Sequence, residues 1–211
     1  MMAFPCIMCY NTGSRCMGGE VANMVEKETL REHLLQWEGI LSDFSLPAWD
    51  DFPALPLYMD QVIFLLNRYL APLPEQAGEK RVTPAMINNY VKLKIIPPPV
   101  KKRYDRTHLA ELIIVCVCKQ TLNTADIKKL IPLSLSEQEI RCVYEDFIAA
   151  FSEMRQYFIR EVRKAVEPVF SPADEPVSRL LFRTAAVSGL SKLLTEEIIR
   201  LDDEEGLGIR D

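Results

Sequence analysis

Apolar residues recur every three or four positions along most of this 211-residue chain, and hardly anywhere every two. That period belongs to helices buried on one face, not to half-buried strands. From Val25 to Leu41, "VEKETLREHLLQWEGIL" sets Leu30, Leu34, Trp37 and Leu41 on one helical side. "YMDQVIFLLNRYL", Tyr58 to Leu70, predicts a second helix, stopped by Pro72 and Pro74. Thr83 followed by Pro84 predicts a third start. The threonine hydroxyl can cap a free N–H, and proline suits the first helical position, where its missing N–H would have no partner. This helix is expected to reach about Lys94, with Pro97 to Pro99 stopping it. Asp105 is expected to cap a helix over Arg106 to Gln120 whose apolar face holds Leu109, Leu112, Ile113 and Cys116. Asn123 or Thr124 opens a short one, "ADIKKLI", before Pro132.

The longest pattern begins at Ser136. Ile140, Tyr144, Phe147, Phe151, Met154, Phe158, Val162, Ala165 and Val169 form a seam with helical spacing. Pro168, Pro172 and Pro176 are expected to break it. A last helix, Val177 to Leu201, carries Leu180, Leu181, Leu190, Leu193, Leu194 and Ile198, and the acidic "DDEEGLGIRD" tail is expected to fray. In the loop after the first helix, Trp49, Phe52 and Leu55 are expected to pin the chain to its core. The fold class is all-α. Three segments follow: a flexible N-terminal extension over 1–24, a helical domain over 25–134, and a C-terminal helical segment over 135–211.

Composition excludes little. Hydrophobic content of 48% and charged content of 26% are ordinary for a globular protein. The apolar run "LIIVCVC" is far shorter than the ~20 residues of a bilayer span. The N-terminus lacks the basic start and apolar core of a secretory signal, so a cytoplasmic location without membrane contact is expected. Cys116, Cys118 and Cys142 lie in apolar helical patterns and are expected to act as small buried hydrophobes. Cys6 and Cys9 form a C-x-x-C with Cys16 nearby, but His33, the nearest further ligand, sits in a separate amphipathic segment. The extension is read as functionless, with a redox or metal role as the lesser alternative; no metal or cofactor is expected.

Charge changes the picture more. Glu79 to Lys129 holds 11 Lys/Arg against 4 Asp/Glu, a balance of +7, while the remainder carries −12. A local positive patch creates its own field whatever the net charge of −5. Within it, Ile87, Tyr90 and Val91 fall on one side of the 84–94 helix; Ala85, Asn88, Asn89 and Lys92 fall on the other. Asparagine can donate to and accept from the adenine edge at once, lysine reads guanine or meets phosphate, and a small Ala85 permits close approach. Lys101, Lys102, Arg103 and Arg106 then follow a stiff triple proline, as a basic loop lying along a sugar-phosphate backbone would require. Thr83, at the helix start, completes the candidate site.

The order of "TPAMINNYVKLKIIPPP", "KKRYDRTHLAEL" and "TADIKKLI" resembles the winged helix-turn-helix DNA-binding domain of MerR-type regulators. Thr83, Ile87, Tyr90, Leu93, Ile95, Ile96 and Pro97 carry the first part of the match, and Tyr104, Asp105, Leu109, Leu112 and Ile113 the second. "MINNYVK" with "PPPVKKRY" resembles more closely an uncharacterised bacterial family, domain-of-unknown-function family 1836; the resemblance spans roughly residues 55 to 135. It implies a MerR-like helix-turn-helix domain followed by a long helix and a C-terminal helix, Tyr104 as an anchor, and a transcriptional regulator bound to double-stranded DNA. Relatives commonly carry Gly where Lys94 stands and basic residues at Asn88 and Asn89. In MerR-type regulators the long helix pairs two subunits, which implies a homodimer through helix 137–169; packing of that seam within one chain fits the pattern equally.

The alternative is a helical protein–protein interaction module that kept the winged-helix shape without binding DNA. Enzymatic chemistry has little support: His33 and His108 are isolated, and Glu145, Asp146 and Glu153 read as a solvated face without an accompanying Glu-x-x-His.

Overall fold

The computed structural model describes residues 20–73, 82–130, 135–171 and 175–206, with side chains from residue 27 onward. Cys6, Cys9, Cys16 and most of the 1–24 extension lie outside the described residues. The helices are α1 (Glu20–Asp43), α2 (Met59–Tyr69), α3 (Pro84–Lys92), α4 (Arg106–Cys118), α5 (Thr124–Leu130), α6 (Glu137–Phe170) and α7 (Val177–Glu205), with a 3-10 turn at Trp49–Asp51. Among the described residues the only sheet-like pairing is two isolated antiparallel bridges, Leu57 with Tyr104 and Val100 with Arg103. The fold is all-α, and no described helix is long and apolar enough to cross a membrane. The chain divides into two compact units, Met1–Glu38 and Gly39–Asp211. The first contains most of α1, where Leu30 and Leu34 are half-buried and Trp37 is exposed.

In the second unit α4 is the axis. His108 to Cys116 are buried without a break, which explains the apolar run in that stretch, and α4 packs on α2 and α6. Around it Val62, Leu66, Ile87, Tyr90, Ile95, Ile96 and Ile127 close one core. Trp49 and Phe52 are buried as expected, meeting Tyr144 at ring distances of 6.4 and 5.2 Å. Leu55 is 78% exposed and is not an anchor. Leu57, two residues on, pairs with Tyr104 by backbone hydrogen bonds and packs against the core.

The long seam divides along its length. Ile140 and Tyr144 lie in the chain's own core with Phe147 and Phe151 packed beside it, while Met154 and Phe158 are exposed. The Tyr144 hydroxyl donates to the Pro47 carbonyl at 2.7 Å, tying the start of α6 to the loop after α1. Arg155 donates to the carbonyls of Leu41 and Ser42.

Several boundaries differ from expectation for local reasons. α6 runs through Pro168 to Phe170. A proline so near the end disturbs only the last turn, and its carbonyl accepts from Ser171 Oγ at 3.3 Å and Glu175 N at 3.2 Å. α7 continues through Asp202–Glu205, where pairs of Lys129 with Asp203 and Arg200 with Glu204 offset the crowding of acids. It ends at Gly206, whose φ of 61° suits only glycine without strain. Cys116 is buried, Cys118 half-buried and Cys142 exposed, so Cys142 is not the core residue expected of it. The leucines of α7 are not core residues either: Leu181, Leu190, Leu193 and Leu194 are exposed, and only Ile199 joins the central cluster.

Candidate nucleic-acid interface

α3 is built as a short, sharply bounded helix. Thr83 Oγ1 accepts from Met86 N at 3.3 Å, and Pro84 takes the first helical position. Asn67 of α2 fixes its entry: the side-chain amide donates to the carbonyls of Ile63 (2.9 Å) and Val82 (3.3 Å) and accepts from Val82 N at 3.3 Å. Ile87 and Tyr90 anchor the inner face, and burial pushes the Tyr90 hydroxyl up to about 12. Ala85, Asn88, Asn89 and Lys92 are all exposed on the outer face, with Thr83 half-buried at its edge.

The helix stops two residues earlier than expected, at Lys92, because Lys94 turns left-handed with φ of 54°. Ile95 N donates to Tyr90 O at 2.9 Å and Lys94 N to Val91 O at 3.0 Å, the paired bonds of a Schellman stop in which glycine is usual. The turn swings Ile95 and Ile96 into the core and leaves Lys94 exposed.

The basic segment is a minimal hairpin. Val100 and Arg103 form an antiparallel bridge, with Arg103 N donating to Val100 O at 2.9 Å. The two residues between them, Lys101 and Lys102, have φ of 49° and 63°. Positive φ at both central positions is the type I′ pattern, ordinarily met by Asn-Gly. Lys94, Lys101 and Lys102 are the three non-glycine residues at positive φ among the described residues, and each is an exposed lysine. Left-handed backbone costs a side-chain-bearing residue about 1 kcal/mol, and such strain concentrates at functional positions. Six residues lie between Lys94 and Lys101, so the chain holds them within about 25 Å.

Arg103 and Arg106 differ from the lysines. The Arg103 guanidinium lies 4.3 Å from the centroid of the Tyr58 ring, donates to the Tyr58 hydroxyl at 2.7 Å and reaches the Pro56 carbonyl at 3.3 Å. It braces the hairpin against the start of α2 while keeping an exposed edge. Arg106 is half-buried at the first position of α4, and its Nε has no hydrogen-bond partner among the described residues.

Tyr104 is buried and meets His108 edge-to-face at 5.3 Å. Asp105 caps α4, accepting from His108 N at 3.2 Å and lying 2.7 Å from His108 Nδ1. The His108 contact, aided by the Thr107 hydroxyl and opposed by burial, holds the Asp105 carboxyl well below the usual range. Burial works to lower His108, but the Asp105 bond and the charges of Asp105 and Glu111 outweigh it and the histidine is raised. Burial pushes Glu111, 2% exposed, up to about 7, and its Oε2 has no partner among the described residues.

Sequence reasoning passed over Asn67, Glu111 and the Tyr58 brace. Periodicity assigns a residue to a face; it does not reveal a clamp between two elements or a charge enclosed by apolar neighbours. Among the described residues no cluster of His, Cys, Asp or Glu could hold a metal.

A family model described as "Domain of unknown function (DUF1836)" matches residues 47–147. Its ends coincide with the Pro47–Tyr144 tie and the packing of Phe147. No curated protein and no solved structure matches the chain.

Proposed function

We propose that this chain is a DNA-binding transcriptional regulator with a MerR-like winged helix-turn-helix. α3 enters the major groove, where Asn88 and Asn89 read base edges, Lys92 meets guanine or phosphate, and Ala85 allows close approach. Lys94, Lys101 and Lys102 sit on phosphates and fix the register. Arg103 holds the hairpin in place, and Arg106 adds charge at its foot.

The observation that supports this most is the conjunction of an exposed amide-and-lysine face on α3 with three exposed lysines in left-handed backbone that follow it closely in the chain. An inert solvated loop would have no need of lysine where glycine or asparagine is less strained. Selection of bound fragments from genomic DNA tests the reading. A recurrent motif is expected, and Asn88→Ala should alter the motif recovered; an unenriched pool refutes base readout.

The interaction-module alternative is favoured by a different feature, the exposed apolar surface of α7. Under that reading α3 carries no nucleic acid and the strained lysines have no ligand.

A further inference from the structure

Every residue of α7 from Leu181 to Leu194 is exposed, although the helix is anchored at both ends. Just before its start Glu175 N donates to the Pro168 carbonyl of α6 at 3.2 Å, while Arg179 and Arg183 approach the Glu175 carboxylate at 3.3 and 3.5 Å. Ile199 enters the core and Lys129 meets Asp203 at 2.5 Å near its end. The exposed middle is apolar: Phe182 is 71% exposed and Leu190 67%, with Val187, Leu193 and Leu194 similarly open. Isolated helical stretches of ~12–15 residues are marginal in water, and Gly189 weakens this one further. Contiguous apolar patches of this kind rarely stand uncovered on a monomer.

We infer that the middle of α7 is covered by α7 of a second copy of this chain, running antiparallel about a two-fold axis at Leu190. Residues three, four, seven and eight positions from Leu190 share its helix face. On the N-terminal side these are Val187, Ala186, Arg183 and Phe182; on the C-terminal side they are Leu193, Leu194, Glu197 and Ile198. An antiparallel two-fold brings each member of the first set against its counterpart in the second. Val187 then meets Leu193, Ala186 meets Leu194, Phe182 meets Ile198, and Leu190 meets itself. Arg183 meets Glu197, twice by symmetry.

The chemistry matches at every step, as an isologous interface requires. Parallel pairing would set Arg183 on Arg183 and Glu197 on Glu197. The wider field has the same polarity: Val177–Lys192 carries Arg179, Arg183 and Lys192 and no acid, whereas Leu193–Glu205 carries six acids and Arg200. Among the described residues Arg183 pairs with the half-buried Glu175 at 3.5 Å and Glu197 with the exposed Arg200, contacts at the surface that exchange at little cost. The inference stands independently of the DNA reading, since α7 holds none of the residues assigned to nucleic acid.

Sedimentation equilibrium of the full chain at micromolar concentration tests it. The intact chain should be a dimer. Leu190→Glu should be monomeric while its urea unfolding midpoint matches that of the dilute parent monomer, because that side chain is exposed in the monomer. Arg183→Glu and Glu197→Arg should each weaken association about tenfold, and the two together should restore it. A monomeric parent chain overturns the inference, as does a dimer indifferent to Leu190→Glu. Failure of the double reversal to recover affinity overturns the antiparallel arrangement.

Discussion

α3 and α7 both present a long face to solvent, but the two faces differ in kind. α3 buries Ile87 and Tyr90 and turns amides and a lysine outward. α7 touches the core only near its end and turns leucines, a phenylalanine and a valine outward. The amphipathicity of α3 is completed within the chain, so its outer face is free for a polar ligand. That of α7 is incomplete, so its face calls for an apolar one. Exposure alone therefore says little about a surface; what the opposite side of the helix has already buried decides which partner it can take.

Truncation of each helix gives the largest separation between the two. Ile87→Ala should lower unfolding free energy by about 2–5 kcal/mol through the lost contact and the cavity left behind. Leu190→Ala, followed by urea denaturation of the dilute monomer, should stay within about 0.5 kcal/mol of the parent. Comparable losses at both positions would mean that α7 is packed within the monomer.

Glu111 supplies a second break, on the pH axis. Its folded value of about 7 lies above the ordinary 4.5, so the protonated acid favours the fold, and that contribution is lost as pH rises through about 7. The raised His108 acts in the same direction, its contribution present below the ordinary 6.5 and lost above its elevated value. Asp105 is depressed, so its contribution is present above the ordinary 3.8 and is lost in acid. Between pH 5 and pH 8, Glu111→Gln should reduce the fall in stability by about 1–3 kcal/mol, measured by urea midpoints. An unaltered fall would assign it to other groups.

Lys94→Gly sharpens the reading of α3 with a smaller effect. Relief of left-handed strain should stabilise the fold by about 0.5–1 kcal/mol, while the DNA salt slope becomes shallower by about 0.9. Stability and affinity moving in opposite directions is the mark of a strained binding residue. Lys101→Asn with Lys102→Gly should behave alike, since Asn-Gly is the relaxed form of that turn.

Much of this is legible in the sequence. Thr83 and Asp105 cap the helices they were expected to cap, and the outer face of α3 is the one its spacing marks. Both signals are local, set by hydrogen bonds and side-chain angles within one or two turns. What failed to show was non-local. The α7 leucines have the same period as core leucines, and only the surrounding elements reveal that nothing in the described chain covers them. Leu55 and Leu57 look equivalent in sequence; backbone pairing with Tyr104 selects the second. Pro168 resembles a helix breaker, yet its place in the final turn made it harmless.

The salt dependence of binding to random-sequence duplex DNA tests the central claim most directly. The account predicts that log K falls linearly with log salt at roughly −0.9 per phosphate contacted. Lys101→Ala and Lys102→Ala should each remove about one such contact, and Asn88→Ala should leave the slope unchanged. No binding at low ionic strength, or a slope indifferent to both lysines, would contradict the account.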